Sequence, residues 1–275
     1  MKIKRVVILS DLHCGHRVGL TPPSFQWPIG SEVSHEWNKF GKIQRECWEW
    51  FKREIKAMQP IDIAIVNGDT IDGRGERSGG TELITGDRGR QVEIAVDCLK
   101  IINPGRFVIV RGTPYHVGEQ ESWEDQVSSQ LSEAFDCKIG DHEWVAVEFG
   151  KETAMFDVKH YVGSSQVPYS RGTAVKRDEM WNLLWAEAKY QPRSNWIIRS
   201  HVHYYESHTR YAGDKRISCI TTPALQAMGT RIGARRYSGL VDYGFLHWDF
   251  YGDGTWEYIE HILAVESQKV SPLKF

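Results

Sequence analysis

Residues 4–16 read Lys-Arg-Val-Val-Ile-Leu-Ser-Asp-Leu-His-Cys-Gly-His, and this stretch decides the fold expected of the whole chain. Its apolar run, residues 6–9, predicts a buried strand of a sheet that is covered on both faces. Asp11 and His13 follow that strand, two residues apart on one loop. Such a pair suits a divalent metal ion, which accepts oxygen and nitrogen ligands together. An Asp-x-His triplet is a weak signal alone, because the Asp can instead cap a turn and the His can be an ordinary surface side chain.

The composition is that of an ordinary globular protein, with 41% hydrophobic and 25% charged residues in 275 and a formal net charge of -2. This balance gives no general attraction for nucleic acid, so an anionic substrate must meet a local patch or a metal ion. The five cysteines are scattered and predict reduced thiols. The first apolar run is too short for a signal peptide, and no stretch reaches membrane-spanning length. We therefore predict a cytoplasmic protein with no membrane contact, folded as a single domain over residues 1–275.

Hydrophobic periodicity predicts alternating strands and helices in the first half of the chain and mainly strands in the second half. The expected helices cover residues 34–58, 91–102, 122–135 and 173–190. The expected further strands cover residues 61–66, 107–110, 144–149, 153–158, 196–199, 204–211, 216–221, 244–250 and 255–263. The alternation in the first half favours a layered α/β architecture with right-handed crossovers.

Aspartate or histidine side chains follow five of these strands. Ligands of open α/β sheets bind outside the carboxyl ends of the strands. The residues concerned are Asp11 and His13, Asp69 and Asp72, His116, His160, and His201 and His203. A metal site at this rim accounts for all of them together, whereas core histidines would need a separate explanation at each strand.

The ordered set of motifs resembles the calcineurin-like metallophosphoesterases. Their pattern is Asp-x-His, Gly-Asp-x-x-Asp, Gly-Asn-His followed by an acid, a lone His, and Gly-His-x-His. Four of these five elements occur here in order: Asp11-Leu12-His13, residues 68–72, His160 and His201-Val202-His203, with Ser200 in place of the last Gly. The resemblance implies an α/β protein, a four-layer α-β-β-α sandwich of two mixed sheets.

The resemblance also implies a role for each matching position. Asp11, His13, Asp69 and His203 would hold a first divalent metal ion. Asp69 would bridge to a second ion, which His160 and His201 also ligate. His116 would act beside the leaving group, and Asp72 would hold neighbouring groups of the catalytic site in place. The all-oxygen-and-nitrogen ligand set suits Mn²⁺, our first choice, and also Fe or Zn²⁺.

The third motif departs from the family pattern. Gly112-Thr113-Pro114-Tyr115-His116 stands where Gly-Asn-His is expected, so the family's Asn ligand is missing. Either the Thr113 hydroxyl or a water replaces that amide, or the loop bulges by two residues and still delivers His116. A structural His116 that is hydrogen-bonded within the loop is the alternative.

Loops near the rim supply the candidate substrate contacts. They are His16 and Arg17 in the first loop, and Arg231, Arg235, Arg236 and Tyr237 in the last. The second group interleaves positive charge with an aromatic ring, as surfaces that bind phosphates and bases do. A solvated loop is the competing interpretation of each.

Three functional hypotheses follow. The first is a two-metal phosphodiesterase that acts on a nucleotide or a nucleic-acid strand. The second is a phosphomonoesterase or protein phosphatase on the same metal site. The third is a non-catalytic binding protein on the same fold, which the missing Asn motivates and the otherwise complete ligand set opposes.

Overall fold

The computed structural model describes residues 3–118, 122–165, 167–213, 215–229 and 241–264. The first of its two sheets has six strands in the order β11-β10-β1-β2-β3-β4. Their bounds are β1 Ile3–Leu9, β2 Ile63–Asn67, β3 Arg106–Val110, β4 Asp136–Gly140, β10 Tyr243–Tyr251 and β11 Trp256–Leu263. Strands β1 to β4 run parallel, while β10 is antiparallel to both β1 and β11.

The second sheet has five strands in the order β5-β6-β7-β9-β8. The bounds are β5 His142–Phe149, β6 Glu152–Lys159, β7 Trp196–Arg199, β8 Glu206–Ala212 and β9 Lys215–Thr221. Strands β6, β7 and β9 are parallel, and each outer strand is antiparallel to its neighbour. Both sheets are therefore mixed.

Four helices cover the outer faces of the sheets: α1 His35–Ala57, α2 Arg88–Lys100, α4 Trp123–Leu131 and α5 Thr173–Glu187. The short helix α3, Pro114–Val117, lies in the loop after β3. The N-cap of α1 is Ser34, whose hydroxyl accepts from the Trp37 N–H, and the N-cap of α2 is Asp87. Apolar residues of α1, α2 and α4 pack on the first sheet, and Val175 of α5 packs on Ile197 and Cys219 of the second.

The alternation of side chains along β1 shows how the layers form. Val7 and Leu9 point to the helices, whereas Val6 and Ile8 point to the other sheet. On that inner side they join a core that includes Phe156 and residues of both sheets. The order of layers is α-β-β-α, which confirms the predicted fold class.

One predicted helix is shorter than expected, and one strand of the structure was not predicted. The predicted helix over residues 122–135 ends at Leu131, and a short parallel strand, β4, follows at Asp136–Gly140. That strand lies at the edge of its sheet and carries polar residues, so its pattern lacked the apolar run that marks the central strands.

Among the described residues, no helix combines the length and the apolar character needed to cross a membrane.

Candidate metal centre

The carboxyl ends of five parallel strands meet at one rim, between the two sheets. Strands β1, β2 and β3 bring their loops from the first sheet, while β6 and β7 bring theirs from the second. Two adjoining groups of ligand-type side chains result. One contains Asp11, His13 and His203, and the other contains Asp69, His160 and His201. These are the six Asp and His residues that the resemblance assigns to the two metal ions.

Asp11 is the centre of the first group. Its Oδ1 atom lies 3.2 Å from the Nε2 atom of His203 and 3.9 Å from that of His13. The two imidazoles come from different sheets, and their Nε2 atoms are 3.2 Å apart. Two nitrogens that share one ion at about 2.1 Å in a tetrahedral arrangement lie about 3.4 Å apart. The first group therefore has the spacing of a metal site.

Asp69 is the centre of the second group. Its Oδ2 atom lies 3.1 Å from His160 Nε2 and 4.0 Å from both His201 Nδ1 and His116 Nε2. His160 Nε2 is also 3.9 Å from Asp11 Oδ1, which joins the two groups. His13, Asp69 and His116 make a third set of ligand-type atoms across this junction. Asp69 therefore belongs to two of these sets, one with His160 and His201 and one with His13 and His116.

Two buried polar atoms at this centre test whether metal ions fit. Asp11 Oδ1 and His160 Nε2 make no well-formed hydrogen bond among the described residues; their near neighbours, His203 Nε2 at 3.2 Å and Asp69 Oδ2 at 3.1 Å, are ligand-type atoms themselves. A buried polar atom without a partner is destabilising, so both atoms call for a ligand. Carboxylate oxygen and imidazole nitrogen are a donor set that suits divalent Mn, Fe and Zn. The residues present fit a pair of such ions.

Hydrogen bonds on the far side of three rings direct the Nε2 atoms inward. His160 Nδ1–H donates to the Asn67 carbonyl at 2.6 Å, and His13 Nδ1–H donates to Asp72 Oδ1 at 3.0 Å. His116 Nδ1–H donates to the Asp72 carbonyl at 2.8 Å. Because these oxygens accept, each Nδ1 carries the hydrogen and each Nε2 is available to the centre. Asp72 therefore acts as a positioning residue behind His13 and His116.

The backbone at the ligand positions is unusual. Positive φ angles occur at five of the candidate ligands: Asp11, His13, Asp69, His201 and His203. Non-glycine residues rarely adopt this left-handed conformation, and such strain concentrates at functional sites.

A buried chain of polar side chains ties the strand ends together below the ligands. The Thr222 hydroxyl lies 2.7 Å from the hydroxyls of both Ser10 and Ser200. Asn67 Nδ2–H donates to the Ser200 hydroxyl at 2.6 Å. These four residues follow or end β9, β1, β7 and β2, so the chain spans both sheets. It also gives Ser200 a role at the position where the family pattern has Gly.

Glu124 is a functional residue that the sequence did not reveal. Its carboxylate, on α4, accepts from the Thr70 N–H and hydroxyl at 3.0 Å each and from the Gly112 N–H at 2.6 Å. Gly112 packs so closely on Asp69 that an added Cβ would lie 2.1 Å from Asp69 Oδ1. Glu124 thus joins the loops after β2 and β3 on either side of the Asp69 carboxylate. Only its distance in space identifies it, since it is an ordinary helical Glu in sequence.

The electrostatics of the centre favour cation binding. Burial disfavours the ionised forms of Asp11 and Asp69, but neighbouring imidazoles, led by His203 and His160 respectively, outweigh it and hold both pKa values below the ordinary range. Burial likewise opposes a charged His160, yet Asp69 and Asp11 raise its pKa to about 10. Protons on these imidazoles balance the two carboxylates, and divalent cations can take their place.

Thr113 and His116 show how the altered third motif is built. The Thr113 N–H donates to Asp69 Oδ1 at 2.7 Å, and its hydroxyl lies 3.1 and 3.2 Å from the two carboxylate oxygens. Thr113 is the N-cap of the short helix α3, which carries His116 back to the rim. The His116 ring packs edge-on against His13, with 4.5 Å between ring centroids.

The first-loop substrate candidates lie inside the protein. Arg17 is 2% exposed; its guanidinium pairs with Glu82 and, at 2.7 Å, with Glu36. His16 is 4% exposed, and its Nδ1 accepts from the Val18 N–H. Both placements differ from the substrate-facing position that the sequence predicts. The pairing of Arg17 with Glu82 joins residues far apart in the chain, so the local sequence pattern does not reveal it. Outside the described residues lie Arg231, Arg235, Arg236 and Tyr237.

Comparisons with known proteins give structural neighbours only. No family model matches the chain, and no curated protein does. The purple acid phosphatase PPD1 of yellow lupin (Lupinus luteus) is 13% identical, over 94% of this chain and 52% of that one, with a TM-score of 0.45. This chain thus spans about half of the lupin enzyme.

Two further solved structures are similar over much of their length. A metallophosphoesterase from Sphaerobacter thermophilus is 10% identical, over 94% of this chain and 88% of that one, with a TM-score of 0.36. The protein of unknown function AQ665 from Aquifex aeolicus is 18% identical, over 73% of this chain and 80% of that one, with a TM-score of 0.32. The resemblance predicted from the motifs thus recurs among solved structures. At these values it carries no argument about activity, which rests on the site itself.

Proposed function

We propose that this protein is a phosphoester hydrolase that works with two divalent metal ions. The observation that carries the proposal is the convergence of Asp11, His13, Asp69, His160, His201 and His203 from four strand ends onto two adjoining groups. Bound ions supply Lewis acidity, which withdraws charge from a phosphate and makes water nucleophilic near neutral pH. Asp11, His13 and His203 would hold one ion, His160 and His201 the other, and Asp69 would contact both.

His116 is our candidate for the proton donor to the leaving group. Its Nδ1–H donates to the Asp72 carbonyl, so Nε2, 4.0 Å from Asp69 Oδ2, is the atom that would pass on a proton when the ring is protonated. The ring is partly exposed, with 17% of its side chain accessible, so a substrate can approach it. General acid catalysis of this kind contributes roughly 10²–10⁴-fold.

The finer assignment is a phosphodiesterase that acts on nucleotides or nucleic acid, with Mn²⁺ as the first metal to test. It is supported by the sequence of residues 231–237, whose Arg and Tyr side chains suit a phosphate with an attached base. Hydrolysis of monoesters, by a phosphatase on the same centre, is the alternative outcome. Partners other than the phosphoester substrate are not proposed.

Hydrolysis of two chromogenic esters by metal-stripped protein, with Mn²⁺ added back, tests the proposal. Bis-p-nitrophenyl phosphate reports diesterase activity and p-nitrophenyl phosphate reports monoesterase activity. We expect metal-dependent turnover that favours the diester and is abolished in His201→Ala. A preference for the monoester selects the phosphatase, and no turnover of either ester with metal bound favours a non-catalytic binding protein.

A further inference from the structure

The metal centre is closed on most sides and open near His201. The side chains of Asp11, Asp69, His13 and His160 are at most 2% exposed, whereas those of His201 and His203 are 34% and 20% exposed. His116, with 17% of its side chain exposed, lies on the open side as well, so a substrate approaches past these three rings. Groups attached to its phosphate then come to lie on the surface that borders His201.

Tyr161 forms that border. It directly follows His160 beyond the end of β6, and its ring centroid lies 5.1 Å from that of His201, with 40° between the ring planes. Tyr161 is 56% exposed, so much of its ring surface meets solvent instead of the core. An exposed aromatic ring beside a polar centre is the feature that base-binding surfaces use.

The backbone holds this ring in place from both sides. On one side, His160 is 1% exposed and its Nδ1–H donates to the Asn67 carbonyl. On the other side, Val162 is 3% exposed and belongs to the same hydrophobic cluster as Val175 of α5. Tyr161 therefore projects from a segment anchored at both neighbouring residues. A ring with two side-chain torsions on an anchored segment loses little conformational entropy when a ligand packs on it.

We propose that Tyr161 is a stacking platform for the base, or another aromatic group, attached to the phosphate of the substrate. The inference rests on the proposed hydrolase and deepens it by naming a nucleotide-type ester as the substrate class. Stacking on an aromatic side chain is tolerant of base identity, because every base presents a π face. Tyr161 thus discriminates aromatic from aliphatic esters and leaves the identity of the base open.

The competing explanation is that Tyr161 only supports the His201 ring. The two explanations differ in what a variant does to different substrates. Loss of a support for His201 weakens the metal centre and slows every ester alike. Loss of a stacking platform selectively slows esters whose non-leaving group carries an aromatic ring, and leaves metal binding and esters with an aliphatic non-leaving group unchanged.

The test compares two diesters with the same leaving group, thymidine 5′-(p-nitrophenyl phosphate) and methyl p-nitrophenyl phosphate. Tyr161→Phe keeps the ring, and Tyr161→Leu keeps apolar bulk against His201 without a π face. Tyr211→Ala is the matched control, since Tyr211 is an exposed tyrosine on β8 at 70% exposure. We expect the kcat/KM ratio of thymidine ester to methyl ester to fall about five- to 100-fold in Tyr161→Leu only.

Binding measured by calorimetry on the Mn²⁺-loaded protein separates failure of this inference from failure of the proposed function. Thymidine 5′-monophosphate should bind more tightly than inorganic phosphate to the wild type, and Tyr161→Leu should remove that difference. Equal losses for both diesters, or a nucleotide that binds no more tightly than phosphate, overturn the stacking role. If neither diester turns over, the hydrolase proposal fails while the binding comparison still decides the role of Tyr161.

Discussion

The Nε2 atoms of His13 and His203 lie 3.2 Å apart, although the two residues follow strands of different sheets. His13 is anchored by Asp72 of the first sheet's rim, and His203 comes from the loop after β7 of the second. Burial lowers the pKa of the His13 imidazole to about 4, an effect that nearby His116 strengthens. The neutral ring then offers a lone pair across the interface between the sheets, where a cation can bind.

Replacing Glu124 with Gln should weaken metal binding without unfolding the protein. A Gln amide can accept only through its oxygen, so its NH₂ group would face one of the Thr70 and Gly112 donors. The loops around Asp69 then shift, and we expect a 10–100-fold loss in Mn²⁺ affinity, about the size seen for supporting groups of metal sites. Titration calorimetry measures this, and Glu133→Gln, at an exposed glutamate after α4, is the control. Unchanged affinity in Glu124→Gln contradicts this supporting role.

Thr113 should contribute to metal binding through its hydroxyl. Thr113→Val keeps the backbone N–H donation to Asp69 but removes the hydroxyl that contacts both carboxylate oxygens. We expect about tenfold weaker binding of one of two ions in Thr113→Val and near wild-type binding in Thr113→Ser. If the Val variant binds both ions as the wild type does, a water or the backbone alone takes the place of the missing Asn.

His116 should matter more as the leaving group becomes poorer. In His116→Gln we expect a loss of roughly 10²–10⁴-fold in kcat for a phenyl ester, because the phenolate needs a proton as it leaves. A p-nitrophenyl ester should lose far less, since its leaving group is stable as an anion. Steady-state rates for both esters are compared at equal metal content. An equal loss for both esters shows that His116 serves the structure of the centre instead.

His247 gives the fold a sensitivity to acid that is independent of the metal centre. Burial lowers the pKa of His247 to about 4. The Asp249 carboxylate acts in the opposite direction, while His261 and Arg5 lower the pKa further. Its Nδ1 atom lies 2.7 Å from His261 Nε2, an arrangement in which one of the two nitrogens must accept. His261 is paired in turn with Glu54 of α1, 3.1 Å away.

Between pH 6.5 and 4 the unfolded chain binds a proton at residue 247 that the folded chain does not bind. The unfolding free energy should therefore fall as the pH falls, by about 2 kcal/mol from pH 7 to pH 5. His247→Gln should remove this part of the pH dependence in urea titrations of metal-free protein, and His35→Gln at the exposed start of α1 should not. A slope that is the same in both variants contradicts the assignment.

The strands that carry the candidate ligands could be predicted from the sequence, because the signal for each of them lies within a few consecutive residues. A buried apolar run followed by Asp or His is visible within a few residues, and β7 lies at its predicted bounds, Trp196–Arg199. β4 was missed because an exposed edge strand carries no such run. Glu124 and the Arg17–Glu82 pair were missed because they depend on contacts between residues far apart in the chain. The positive φ angles of Asp11 and Asp69 were likewise invisible, since only the folded loops impose them.

The number of Mn²⁺ ions bound per chain is the most direct test of the central claim. Metal-stripped wild type is titrated with Mn²⁺ and followed by calorimetry and electron paramagnetic resonance, beside Asp69→Asn. We predict two ions per chain with a spectrum showing magnetic coupling between them, and loss of that coupling with at most one tight ion in Asp69→Asn. A wild type that binds no Mn²⁺, or a single uncoupled ion unaffected by the substitution, contradicts the two-metal centre.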